Sequence, residues 1–228
     1  MKTIFRNLIC SICLIFLLSP ICAHAQGTKL DTGYRSKGYV ERLEKFKAEP
    51  LAKGDIVFLG NSITAGTNWA KLLDMPNAKN RGISGDITFG VLNRLQEIID
   101  ANPRKIFILI GTNDISREIP DSMIVQNYKR MVQRIKAGSS SKIYFFTVLP
   151  VNQNTNFQKH KGKAAHIKWV NSEIKKLAAK NVGVIDLYRY FVDVEGQLKE
   201  NLSYDGLHLN EAGYQEWAKV LRAGNYLK

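Results

Sequence analysis

The sequence predicts an α/β protein, a flavodoxin-like three-layer α/β/α sandwich built on a five-stranded parallel sheet. Three observations predict it. Apolar runs of strand length recur at 55–60, 78–83, 105–110, 142–148 and 182–187, with 78–83 the weakest. Amphipathic helical patterns lie between them. The strand runs are also continuously apolar rather than alternating, most clearly "KIFILI" at 105–110, as expected of strands covered by helices on both faces.

Residues 1–25 stand apart from this pattern. Lys2 and Arg6 are followed by the apolar run "LICSICLIFLLSPICA" and by Ala23-His24-Ala25. That is the three-part pattern of a secretory signal peptide ending in an A-x-A cleavage site. Pro20 interrupts the run, which argues against a permanent membrane anchor. Cys22 raises a lipoprotein alternative, but Ser19-Pro20-Ile21 is a poor match to the small-residue context that such processing needs. The expectation is export to the periplasm or beyond, with no stable membrane insertion after cleavage. All three cysteines (Cys10, Cys13 and Cys22) lie in this leader, so the 203 residues after it carry no disulfide and no thiolate metal site.

Residues 26–53 read as a polar lead-in with one short helix near 38–47, and 54–228 as a single domain. Within the domain, "TFGVLNRLQEIIDA" at 88–101 puts Val91, Leu95, Ile98 and Ile99 on one helical face. The segment at 121–138 does the same with Ile124, Tyr128, Met131, Val132 and Ile135, and Gly138 ends it. A third helix near 166–180 presents Ile167, Val170, Ile174 and Leu177, and a last one is expected over 211–222.

The whole chain has a formal charge of +13; without the leader's Lys2 and Arg6 it is about +11. The lysines are thickest at 159–180, where they read as a solvated helix face. No basic stripe interleaved with aromatics points to nucleic acid. His160 and His166 lie in that lysine-rich segment with no carboxylate or cysteine near them in sequence, so they read as exposed histidines, and neither metal nor cofactor is expected.

Chemistry is expected at the carboxyl edge of a parallel sheet, and four short segments fall there: "GNSIT" at 60–64, "RGISGD" at 81–86, "GTND" at 111–114 and "DGLH" at 205–208. In the last, Gly206 permits a tight turn on which the Asp205 carboxylate can reach the His208 ring, leaving Nε2 as a base. The alternative is an Asp205 that caps the final helix and a His208 that only packs. Ser62 follows the first strand, where a serine is also an ordinary helix N-cap. A phosphate loop fails, since Lys-Ser/Thr does not follow Gly66, and there is no G-x-G-x-x-G. The G-x-S-x-G elbow fails at Thr64. Asn113 can aim an amide at the same crevice, and Gly85 lets a backbone N–H approach a ligand. Asp86 and Asp114 read as structural, bonded to backbone N–H groups at turns. The four segments together supply a nucleophile, a base, its orienter and three oxyanion donors, which is the part list for acyl transfer.

These blocks resemble the SGNH (GDSL-type) hydrolase superfamily: "GNSIT" with Ser62, "ISGD" with Gly85, "GTND" with Asn113, and "DGLH" with Asp205 and His208. The similarity runs over about 50–228, and the ending "DGLHLNEAGY" is similar to secreted bacterial acylhydrolases of the platelet-activating-factor-acetylhydrolase and lysophospholipase type. Asn61 stands where the GDS signature has Asp. The resemblance implies the SGNH hydrolase fold, a metal-free serine mechanism with Ser62, Asp205 and His208 catalytic, and an oxyanion hole of Ser62, Gly85 and Asn113.

The expected substrate is a small-molecule or glycan ester with a short acyl group, foremost acetyl on O-acetylated carbohydrate, because no long apolar insert is available to form a lid or acyl tunnel. Asn61, Trp69 and Tyr204 are the candidate substrate contacts, the two aromatics as platforms for a sugar ring. The alternatives are a lysophospholipase- or thioesterase-type lipid acylhydrolase and a non-catalytic glycan-binding module on the same fold.

Overall fold

The computed structural model describes residues 30–228, so the signal-peptide reading of 1–25 lies outside the described residues. Five strands form one sheet: β1 (Ile56–Gly60), β2 (Ala78–Gly82), β3 (Lys105–Leu109), β4 (Lys142–Phe146) and β5 (Val182–Ile185). All pairs are parallel, in the order β2-β1-β3-β4-β5. Among the described residues ten α-helices accompany them: α1 (Lys37–Ala48), α2 (Ser62–Ala65), α3 (Trp69–Leu73), α4 (Thr88–Asn93), α5 (Leu95–Ala101), α6 (Thr112–Ser116), α7 (Asp121–Gly138), α8 (Ala164–Lys175), α9 (Tyr188–Phe191) and α10 (Glu211–Ala223).

The alternation of side chains along each strand feeds two cores. Val57, Leu59, Ile106, Ile108, Ile143 and Phe145 point to one face, where α4, α5, α7 and α8 cover them. Ile56, Phe58, Phe107, Leu109, Tyr144 and Phe146 point to the other, against α3, α9 and α10. Both faces are buried under helices, so both halves of the strand alternation are apolar. The chain leaves β1 for β2 on one side, then crosses to β3 on the other. The carboxyl ends of β1 and β3, paired at Gly60 and Leu109, therefore flank the point where strand order reverses.

Three departures from the sequence reading have identifiable causes. β2, "AKNRG", is a strand despite its polarity, because side-chain bonds hold this edge. Asn80 accepts from Gly82 N–H at 2.8 Å and donates to the carbonyls of Thr64, Ala65 and Thr67. Arg81 is 1% exposed, lies over the Phe46 ring, and donates to Glu97 and to the Glu49 carbonyl. The helix expected over 88–101 is interrupted at Arg94, whose guanidinium turns inward to Asp86 and to the carbonyls of Arg81 and Gly60. The lead-in helix α1 is also packed on the domain: Tyr39 and Phe46 are buried with Ile83, and the Tyr39 hydroxyl donates to the Gly90 carbonyl at 3.0 Å.

Candidate active site

The site is assembled from the four segments at the carboxyl edge. After β1 the chain enters α2, whose N-cap is Asn61: its Oδ1 accepts from Ile63 N–H at 3.0 Å. Ser62 is thus the first helical residue and its hydroxyl is not used as a cap. Ser62 Oγ stands 2.9 Å from His208 Nε2.

His208 sits on the loop before α10. Asp205 Oδ2 lies 2.7 Å from His208 Nδ1, while Oδ1 accepts the backbone N–H groups of Leu207 at 2.9 Å and His208 at 2.7 Å. Gly206 turns the chain with φ +80, and the Leu207 side chain is buried in the core beneath. Partial burial alone would raise the Asp205 carboxyl, but the bonds from the His208 ring, the His208 N–H and the Leu207 N–H outweigh it and hold the group below its ordinary value. The cap of α10 is Asn210, which accepts from Gly213 N–H at 3.0 Å. The helix-capping alternative for Asp205 is therefore excluded.

Across the crevice, Gly85 has φ +75, a left-handed conformation that favours glycine. Neither its N–H nor that of Ser62 donates to a protein acceptor among the described residues. Asn113 Nδ2 donates to the Asp86 carbonyl at 2.9 Å, which occupies one of its two N–H bonds. The two aspartates hold this loop in place. Asp86 Oδ1 accepts Ile87 N–H, and its Oδ2 pairs with Arg94 at 2.8 Å. Asp114 is fully buried and accepts the Thr88 N–H at 3.0 Å and the Thr88 hydroxyl at 2.5 Å, while Asn127 donates to that hydroxyl at 2.8 Å. Burial raises the Asp114 carboxyl to about 6. Arg117 donates to the carbonyl of Gly85 at 3.1 Å and to that of Gly33, clasping the lead-in to the Gly85 loop.

Aromatics surround the imidazole. Tyr204 is 70% exposed and lies nearly parallel to the His208 ring, at 5.9 Å and 13°. The Phe157 edge meets the same ring at 5.2 Å. Two clefts open at segments of the site, one lined in part by Gly85 and the other by Asp205. One of about 610 Å³ runs from Gly85 past Ser84, Arg117, Arg35 and Tyr34. The other, about 270 Å³, lies between Asn152, Asn154, Asn156, Glu200 and Tyr204.

Two expected substrate contacts are corrected. Trp69 is 1% exposed, stacked on Phe58 at 3.9 Å and against Trp217, with Nε1 donating to the Thr64 carbonyl; it is core and offers no face to a ligand. Asn61 is also 1% exposed and its Oδ1 is committed to the cap. Of the two histidines, His166 is exposed as expected, and it has a carboxylate neighbour in space, Asp121 at 2.8 Å, although none is near in sequence. His160 is partly buried, with Nε2 at 3.4 Å from Asn113 Oδ1. Nothing in the "QKHKGK" context signals that placement. Among the described residues no group of three or more His, Cys, Asp or Glu is placed to hold a metal, and no helix is long and apolar enough to cross a membrane.

An open parallel sheet with a Ser–His–Asp relay at its switch point defines a hydrolase of the SGNH class. Residues 58–216 match the GDSL-like Lipase/Acylhydrolase family, and the chain belongs to it as an ester-hydrolysing enzyme. It is 29% identical over 174 residues to the rat platelet-activating factor acetylhydrolase IB subunit alpha2, an alignment spanning 73% of this chain and 74% of that protein. A solved structure from Streptococcus pneumonia, provisionally described as a platelet activating factor, superposes with TM-score 0.77 at 28% identity, covering 84% of this chain and 94% of that one. An acetyl xylan esterase, AlAXEase, superposes with TM-score 0.63 at 20% identity over 75% of this chain and 98% of its own, a likeness of fold.

Proposed function

We propose that the protein is an exported serine esterase that removes short acyl groups, foremost acetyl, from O-acetylated carbohydrates. The observation that carries the serine chemistry is the arrangement Ser62 Oγ–His208–Asp205, with links of 2.9 and 2.7 Å, together with N–H groups of Ser62 and Gly85 that donate to no protein acceptor among the described residues.

In this reading Asp205 accepts the Nδ1–H of His208, which leaves Nε2 unprotonated toward Ser62. Nε2 takes the hydroxyl proton as Oγ attacks the ester carbonyl. The negative charge that develops on the carbonyl oxygen is met by the N–H groups of Ser62 and Gly85 and by the second N–H of Asn113. The imidazolium gives its proton to the departing alcohol, leaving an acyl-Ser62. A water then attacks the acyl group with His208 again as base, which releases the carboxylic acid and restores the hydroxyl.

Acetyl preference is supported by the relatives, since both the mammalian acetylhydrolase and the acetyl xylan esterase carry an acetyl ester in their names. The carbohydrate preference is supported by the smaller cleft, where the amides of Asn152, Asn154 and Asn156 and the Ser203 hydroxyl meet, and by the exposed Tyr204 ring that lines it beside the imidazole. An acyl chain of lipid length would need a lid or tunnel, and the sequence carries no long apolar insert to build one. Export is supported by the leader pattern at 1–25.

The test pairs a fluorophosphonate label with a chain-length series of nitrophenyl esters. Covalent labelling at Ser62 and fastest turnover of the acetyl ester are expected. Preference for eight carbons or more would favour the lipid acylhydrolase alternative, and folded protein that fails to label would favour the non-catalytic glycan-binding module.

A further inference from the structure

We propose that His160 is a positioning residue of the oxyanion hole: its Nε2–H, 3.4 Å from Asn113 Oδ1, holds the Asn113 amide in the orientation that leaves one N–H free for the substrate. This inference rests on the serine-esterase reading and adds to it a residue outside the four sequence blocks.

The argument starts from the amide. Asn113 Nδ2 lies 2.9 Å from the carbonyl oxygen of Asp86, and a carbonyl only accepts. The nitrogen must therefore occupy that side, and Oδ1 the side that faces His160. Oδ1 is itself an acceptor, so the His160 nitrogen facing it must carry a hydrogen. The hydrogen-bond pattern thus assigns the tautomer: Nε2 protonated, Nδ1 bare.

The surroundings of Nδ1 agree. That atom is buried and has no hydrogen-bond partner among the described residues. A bare lone pair tolerates this better than an N–H does, because an unpaired buried donor carries a larger desolvation penalty. Both the other tautomer and the imidazolium would place an unpaired N–H there. Burial, and secondarily the nearby His208, lower the pKa of His160. The ring is therefore a neutral donor with a single N–H, directed at Asn113.

Neutrality suits the chemistry. His208 becomes a cation as Ser62 attacks, and a second cation beside it would oppose that step. His160 supplies a hydrogen bond without a charge. At 3.4 Å the bond is long in the resting site. Its value appears as negative charge builds against the other N–H of Asn113, since a hydrogen bond at Oδ1 polarises the amide and strengthens its donor end. It also opposes rotation of the amide, which would turn Oδ1 toward the oxyanion.

The experiment is a double-mutant cycle in the full chain with nitrophenyl acetate as probe. His160→Ala is expected to lower kcat about tenfold, less than direct loss of an oxyanion donor, with KM little changed. His160→Gln, whose amide can donate in place of Nε2, should recover most of the rate. In the Asn113→Ala background, His160→Ala should cost nothing further, because its effect passes through Asn113. Nitrogen NMR of the folded wild type should show the neutral Nε2–H tautomer, a readout that holds even if His160→Ala does not fold. Wild-type kcat in folded His160→Ala, a full additional loss on top of Asn113→Ala, or an Nδ1–H tautomer would each overturn the proposal while the esterase reading stands. A wild type inert toward both ester and fluorophosphonate would overturn both.

Discussion

Ser62 and His208 lie 146 residues apart in the chain, and their Oγ and Nε2 atoms stand 2.9 Å apart. The sheet makes the contact: β1 delivers Ser62 at its carboxyl end, and the loop before α10 returns the imidazole to the same edge, tied by the bridge between Ser203 and Leu209. Ser62→Ala should leave the fold intact, because this hydroxyl caps no helix, and should abolish both ester turnover and fluorophosphonate labelling. Labelling that persists on a different serine would move the nucleophile elsewhere.

Asp205→Asn tests the orienter. One carboxylate oxygen faces the ring and the other accepts two backbone N–H groups. An asparagine can keep the backbone bonds through Oδ1, but it then presents an NH₂ to Nδ1 and favours the wrong tautomer. A fall in kcat of roughly 10³–10⁴ is expected, with the fold retained. A loss below tenfold in a folded variant would show that the His208 tautomer is set by something other than Asp205.

Asn113→Ala removes one oxyanion donor that acts as charge develops. The expected cost is about 10²–10³ in kcat, with a much smaller change in KM. Steady-state kinetics on the acetyl ester separates the two terms, and a rise in KM at constant kcat would assign Asn113 to ground-state binding instead.

The parts that the sequence made legible are local ones. Continuous apolarity marks β1, β3 and β4 because each is buried on both faces, and Asp205 and His208 are readable as a pair because only Gly206 and Leu207 separate them. The parts it concealed depend on distant partners. β2 looks weak until Arg81 meets Glu49 and Glu97, and the helix break at Arg94 follows from a buried pair with Asp86. Trp69 looks like a free aromatic until Phe58 and Trp217 enclose it. His160 lies 47 residues from Asn113 in a lysine-rich stretch, where spacing carries no signal.

Asp114 should leave a mark on the pH dependence of stability. Its carboxyl is raised to about 6 by burial, against an ordinary value of 3.8. Between those values the folded protein binds more protons than the unfolded chain, so this group makes stability fall as pH rises through the window. Two units correspond to roughly 3 kcal/mol. Asp114→Asn keeps an oxygen acceptor for Thr88 and removes the titration. The stability of wild type relative to Asp114→Asn, measured by urea unfolding, should therefore decline between pH 4 and pH 6 and level off above it. Parallel curves across that range would show that Asp114 titrates at its ordinary value.

The two candidate platforms can be separated by one pair of variants. Trp69 is core, so Trp69→Ala opens a cavity beside Phe58 and Trp217 and should cost about 3–5 kcal/mol of stability. Trp69→Phe keeps much of the volume and loses the bond to the Thr64 carbonyl, so it should be less stable than wild type with an unchanged KM. Tyr204 is 70% exposed, and Tyr204→Ala should change stability by no more than about 0.5 kcal/mol. The ring projects beside His208 and over the smaller cleft, where the alcohol part of a glycan ester would rest. Its removal should raise KM for an acetylated oligosaccharide and leave KM for nitrophenyl acetate alone, because only the larger substrate reaches the ring. Equal effects on both esters would mean that Tyr204 acts through the imidazole it stacks on, and the sugar platform would have to be sought in the Arg35 and Arg117 cleft instead.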